Sequence, residues 1–243
     1  MKICIINKEI IEKGDSMRNE MMHRPVLKDE ILDLIRHRQK NVPGDLGEIQ
    51  AKAYEDNVPI IPNETASFLT FFLKQIQAKN VLEVGTAIGF SSSLMVEAMG
   101  KDSHVTTIDR FDVMIRKAKV NYEKLGIEDN ITLLEGDAKD VLLTLEGPYD
   151  FIFMDSAKSK YIEFLPECLR LLKVNGVLMI DDVFQAGTVM QDIKEIPKSQ
   201  RTIYRKLNQL YDVVLNHPDL TVTILPLGDG VLMISKNVEN VEL

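Results

Sequence analysis

Between residues 80 and 180 the sequence alternates five short apolar runs with stretches of helical periodicity. That alternation restricts the fold more than any other feature. The runs cover residues 81–84, 105–108, 131–134, 151–154 and 177–180, and several are rich in Val and Ile. Helical patterns fall between them, near 91–100, 112–125, 139–145 and 160–172. Short apolar strands joined by helical crossovers predict a parallel sheet with helices on both faces. The pattern changes after residue 180. A helix over about 199–216 precedes two apolar runs, 220–225 and 231–235, which flank Pro-Leu-Gly-Asp-Gly and predict an antiparallel hairpin.

Upstream, residues 27–40 place Leu27, Ile31, Leu34 and Ile35 on one helical face, and Pro43-Gly44 ends the pattern. Helices are predicted over 45–56 and 64–77, the latter apolar at Phe68, Leu69, Phe72, Leu73 and Ile76. The intervening Val-Pro-Ile-Ile-Pro-Asn-Glu reads as an extended linker, because each proline pushes the residue before it out of helical space. The division expected is a helical extension over 1–44 and one α/β domain over 45–243, well within what 243 residues can fill.

Composition removes several classes. No apolar run reaches the roughly 18 residues of a membrane helix. The opening Met-Lys-Ile-Cys-Ile-Ile-Asn-Lys lacks a long apolar region and a small-residue cleavage site, so a cytoplasmic, non-secreted protein is expected, with Met17 an alternative start. The two cysteines, Cys4 and Cys168, suit a reducing compartment, leave one disulfide open, and are too few for a zinc site on their own. A net charge of −8 argues against broad polyanion binding but allows a local basic patch.

The first run leads into Gly85-Thr86-Ala87-Ile88-Gly89-Phe90-Ser91. In open parallel sheets, ligands bind where strands end. Glycines at 85 and 89 bring backbone close to a ligand, and Ser91 with the free N–H groups of the next helix can hold a carboxylate. Asp109 ends the second run, where an acid can accept the hydroxyls of a ribose. A tight strand-to-helix turn with no ligand is the alternative, and G-x-x-x-G is not the dinucleotide pattern G-x-G-x-x-G.

Asp155 follows the fourth run, and Asp181-Asp182 the fifth. If those strands are neighbours, three carboxylates share one edge, and their repulsion calls for a cation or a proton. All-oxygen ligands suit Mg²⁺ and disfavour zinc. The alternative is that the aspartates cap helices and turns. Lys158, three residues past Asp155, is a candidate general base, whereas Lys160 reads as an ordinary solvated lysine.

Taken together, L-E-V-G-T-A-I-G-F-S, D-S-A-K-S-K-Y, D-D-V-F and the ending H-P-D-L-T-V-T-I-L-P-L-G-D-G-V-L-M-I-S-K resemble the metal-dependent class I O-methyltransferases of the catechol and caffeoyl-CoA type, over about residues 45–236. The resemblance implies a Rossmann-like α/β fold with a seven-stranded sheet whose last strand is antiparallel, and S-adenosylmethionine as cofactor. It implies cofactor contacts at Ile61, Glu83, Gly85, Ser91, Asp109, Asp137, Ala138 and Asp155. Asp155, Asp181 and Asp182 would hold Mg²⁺ or another divalent cation, Lys158 and Asp155 would be catalytic, and a homodimer would form through the amino-terminal helices. One departure is Asp182, where many small-molecule members carry Asn.

Within the family the chain is most similar to the bacterial tRNA 5-hydroxyuridine methyltransferases. That likeness implies transfer to O5 of wobble 5-hydroxyuridine, giving 5-methoxyuridine, with catechol-like small molecules the alternative. Both substrates present vicinal oxygens. Two basic clusters, Arg36, His37, Arg38, Lys40 and Lys198, Arg201, Arg205, Lys206, are candidate tRNA phosphate contacts or simply solvated helix faces. Tyr161, Phe184 and Tyr204 are the candidates for stacking on a base. An NAD or nucleotide-sugar enzyme and a non-catalytic binding protein are the rival classes.

Overall fold

The computed structural model describes residues 27–243. Cys4, Met17 and the rest of residues 1–26 lie outside the described residues. Seven strands form one sheet: β1 (Asn80–Val84), β2 (His104–Asp109), β3 (Ile131–Glu135), β4 (Tyr149–Met154), β5 (Leu172–Ile180), β6 (Leu220–Leu225) and β7 (Val231–Lys236). Their order is β3-β2-β1-β4-β5-β7-β6, and β7 alone runs against its neighbours. The expected mostly parallel sheet with an antiparallel last strand is therefore present.

The central strands are buried on both faces, so their sequences are mainly apolar, and the polar residues within them, Glu83, Thr106 and Thr107, are buried as well. Leu82, Ile152 and Leu178 face a layer that includes α7 (Tyr161–Leu171) and α8 (Arg201–Val214). Val81, Phe151, Phe153 and Met179 face the other layer, with α2 (Gly44–Glu55), α3 (Asn63–Ile76) and α4 (Phe90–Met99). Helices α5 (Asp112–Leu125) and α6 (Ala138–Val141) complete the crossovers. Cys168 is a free thiol buried within the first layer, and burial pushes it up to about 12.

Three elements differ from the sequence reading. β5 begins at Leu172 rather than 177, because Leu172 pairs with Tyr149 across a register shift. The helix expected over 139–145 splits into α6 and a 3-10 turn, Leu142–Thr144. Helix α1 (Asp29–Arg38) buries Leu32, whereas Ile31 and Leu34, expected to face inward, are 46% and 53% exposed. Among the described residues no helix is long and apolar enough to cross a membrane.

Candidate active site

Strands β1, β4 and β5 end level with one another, and the ladder runs one residue past each end. Asp155 N–H donates to Val84 O, and Asp181 N–H to Met154 O, both at 3.0 Å. Gly85, Asp155 and Asp181 are thereby laid side by side. Gly85 has φ +108°, and a Cβ there would collide with the carbonyl oxygen of Asp155. Its glycine is required first by the neighbouring strand. A Cβ at Gly89 would come within 2.6 Å of the Tyr122 ring.

A two-lobed crevice opens at this edge. One lobe, of about 380 Å³, is bounded by Ile61, Ser91, Asp155, Lys158, Asp181 and Asp182. The other, of about 540 Å³, is bounded by Asp109, Phe111, Met114, Asp137, Ala138 and Phe164. Gly85, Asp155 and Ser156 border both. The Ser156 Oγ is buried there with no hydrogen-bond partner among the described residues. An orphaned hydroxyl where two cavities join fits a crevice shaped to receive a polar ligand.

Of the eight residues expected at the cofactor, seven line this crevice and Glu83 does not. Glu83 lies sealed behind it, accepting hydrogen bonds from Ser91 Oγ and Thr107 Oγ1, both at 2.5 Å. Burial is the main cause that pushes its carboxyl up to about 8. Asp109 was expected to receive ribose hydroxyls. Its Oδ2 accepts the N–H groups of Thr86 and Ala87 at 3.2 and 2.9 Å, and its Oδ1 those of Arg110 and Phe111 at 2.7 and 2.9 Å. All four lone-pair directions are thus occupied, and the carboxylate clasps the glycine loop to the end of β2. Asp137 caps α6 by accepting the Lys139 N–H at 3.0 Å and pairs with Arg110 at 2.8 Å; that N–H bond, followed by Arg110, holds its carboxyl below the usual range.

The acid cluster lies across the first lobe. Burial and then the Asp182 charge push Asp155 up to about 7. Asp181 is raised well above its ordinary value by burial, then by Asp182 and Asp155. Lys158 Nζ lies 3.0 Å from Asp182 Oδ2 and 3.5 Å from Asp229 Oδ2, with only 9% of its side chain exposed. Lys160 is 48% exposed and pairs with Glu163 at 2.7 Å, matching its solvated assignment. Asp182 adopts φ +59°, a left-handed conformation uncommon for a residue with a Cβ.

The three acids expected to hold a cation therefore share one cavity but do not close into a ligand shell. Asp182 reaches toward Lys158, and Asp181 Oδ1 accepts the Asp182 N–H at 2.8 Å. Among the described residues, no three His, Cys, Asp or Glu side chains are gathered closely enough to hold a metal. The donor chemistry still suits a hard cation: the Asp155 and Asp181 carboxyls, raised by desolvation and then by the Asp182 charge, are what such a cation would relieve.

Two functional candidates escaped the sequence reading. Asp229 was only a hairpin-turn residue there, and nothing in the local pattern links it to Lys158. Glu64, 2% exposed at the start of α3, receives a bidentate pair from Arg36 Nε and Nη2 at 3.0 and 2.9 Å, and both residues border the first lobe. Arg36 was expected among tRNA contacts but is bound to this carboxylate. Arg201 is likewise occupied, donating to the carbonyls of Ile196 and Lys194 at 3.0 and 3.2 Å. Tyr161, a stacking candidate, is 1% exposed inside the core.

The sequence profile of the O-methyltransferase family matches residues 37–237, and the chain belongs to that family. A caffeoyl-CoA O-methyltransferase of Petroselinum crispum is 26% identical over 233 residues, covering 90% of this chain and 96% of that protein. A catechol O-methyltransferase of Mycobacterium tuberculosis is 28% identical, covering 67% of this chain and 71% of that protein. The SAH-bound methyltransferase PaMTH1 of Podospora anserina shares the fold with a TM-score of 0.76 at 24% identity, over 86% of this chain and 97% of that one.

Proposed function

We propose that this enzyme transfers the methyl group of S-adenosylmethionine to one hydroxyl of a small phenol bearing two vicinal hydroxyls. The observation that carries this reading is the junction at Asp155. A long lobe bounded by Asp109, Asp137 and Ala138 meets a compact lobe that contains three carboxylates and a nearly buried lysine. Relatives named as catechol and caffeoyl-CoA O-methyltransferases support it.

When bound, S-adenosylmethionine supplies an electrophilic methyl group on a sulfonium sulfur, and a divalent cation at Asp155, Asp181 and Asp182 supplies Lewis-acid activation of adjacent oxygens. The chain's own residues do the rest. Ile61 closes the methionine end, and the first N–H groups of α4, around Ser91, receive its carboxylate, the Ser91 hydroxyl being committed to Glu83. Asp137 and Ala138 border the adenine, and Asp109 places negative charge beside the ribose. Lys158, an ammonium between Asp182 and Asp229, holds the oxyanion formed, or accepts the proton of the reacting hydroxyl once it has released its own to solvent. The apolar segment Pro59 to Pro62 borders the first lobe, and an apolar wall there favours a transfer that neutralises opposite charges. A homodimer formed through the amino-terminal helices is part of the same proposal, and sedimentation tests it.

The second reading is O5 of 5-hydroxyuridine in tRNA, whose O5 hydroxyl stands beside the O4 carbonyl and presents the same vicinal oxygens. Arg36 is neutralised by Glu64 and the Arg201 guanidinium is turned to main-chain carbonyls, so two of the basic residues are directed away from phosphates, which favours the phenol. Incubation with methyl-labelled S-adenosylmethionine separates the two. Label is expected in catechols and 3,4-dihydroxycinnamates and not in monophenols. Label in bulk tRNA alone, recovered as 5-methoxyuridine, would establish the RNA reading instead.

A further inference from the structure

Asp229 stands in the turn between β6 and β7, 71 residues beyond Lys158. Its two carboxylate oxygens have separate partners. Oδ1 accepts the Ala186 N–H at 2.7 Å, and Oδ2 lies 3.5 Å from Lys158 Nζ. The backbone of the same turn is tied to the segment that follows Asp182: Phe184 N–H donates to Asp229 O at 2.8 Å, and Val183 N–H to Gly230 O at 3.0 Å. That segment carries three non-glycine residues in left-handed conformations, Asp182, Gln185 and Ala186. The unusual backbone thus brings Asp182 and Asp229 to one lysine from two sides.

A lysine ammonium is a compact charge on a four-carbon stem, and one carboxylate fixes it poorly. Here Nζ has two, at 3.0 and 3.5 Å, contributed by different strand ends. Asp182 is also one of the three carboxylates assigned to a cation, and charge neutralised there is less available to the lysine. Asp229 belongs to no such set. We propose that Asp229 is a positioning residue that aims the Lys158 ammonium at the reacting oxygen, acting through the lysine. The inference rests on the role proposed for Lys158 at that oxygen.

The test uses the full-length enzyme as D229N, which keeps an Oδ1 acceptor for Ala186 and removes the charge facing Lys158. Thermal melting accompanies it, and D229S takes its place if D229N does not fold. For D229N, kcat on the best catechol is expected to fall about ten- to a hundredfold while both KM values stay within about threefold. In protein carrying ¹³C-labelled lysine, the Lys158 resonance, assigned by its loss in K158M, is expected to move in D229N and to return toward its original position in D229E. An unmoved resonance or an unchanged kcat in D229N overturns the positioning role. Full turnover in K158M would instead remove the lysine role on which it depends, so the two failures are distinguishable.

Discussion

Ser91 donates a 2.5 Å hydrogen bond to Glu83, a carboxyl with no exposure to solvent that sits behind the cofactor lobe. Thr107 donates to its other oxygen and is itself 2.6 Å from Thr86, so one buried acid organises three hydroxyls across β1, β2 and the glycine loop. Because burial raises the Glu83 carboxyl from 4.5 to about 8, the folded state binds a proton that the unfolded state releases. Its contribution to stability is complete below pH about 4.5 and is lost as pH rises toward about 8, by an amount on the order of 5 kcal/mol. Glu83→Gln should flatten that decline in denaturant unfolding followed from pH 5 to 8. An unchanged slope would show that Glu83 titrates alike in both states.

Gly85→Ala should damage both folding and activity. The added Cβ meets main chain, the Asp155 carbonyl, and φ +108° is unfavourable for any residue with a side chain. A loss of more than about 2 kcal/mol is expected in chemical denaturation, with turnover falling as Asp155 is displaced. Gly100→Ala is the control, since nothing lies within 4 Å of its added Cβ and only its φ of +87° opposes it.

Arg36→Met removes the partner of a carboxylate that is 2% exposed. An unpaired buried carboxylate costs about 2 kcal/mol even where its partner is partly solvated. Because α1 buries only Leu32, the loss should fall on that helix. Hydrogen exchange of α1 amides should accelerate well ahead of β1 and β4, and KM for the phenol should rise. Glu64→Gln, which leaves no buried charge, should be milder.

On the proposed cation assignment, Asp182→Asn should weaken Mg²⁺ binding by about tenfold, because one of the three anions facing the ion is removed. Calorimetric titration of Mg²⁺ into the S-adenosylhomocysteine complex measures it. Equal affinity in the variant would place the cation away from Asp182.

Much of this architecture is legible in the residues because the signals are local. Strands β1, β2, β3 and β4 have four-residue cores rich in apolar and β-branched residues, and the hairpin is announced by Pro-Leu-Gly-Asp-Gly. The crevice edge follows from strand ends, which is why Gly85, Asp155, Asp181 and Lys158 can be gathered before any coordinates are seen. What stays hidden is long-range. Asp229 meets Lys158 only because β7 is antiparallel beside β5 and its first residues return to the carboxyl edge. Arg36 and Glu64 meet across two helices, and no periodicity in either reports it. Asp109 and Glu83 show a further limit: sequence position alone does not report that backbone N–H groups and neighbouring hydroxyls hydrogen-bond to their carboxyl oxygens.

A nearly buried lysine is proposed to act at the reacting oxygen of a phenol held against the acid cluster. Turnover of 3,4-dihydroxybenzoate by K158M, with S-adenosylhomocysteine affinity measured on the same preparation, tests it directly. A fall in kcat of about a hundredfold or more with cofactor affinity within about twofold is predicted. Wild-type turnover in K158M would contradict it.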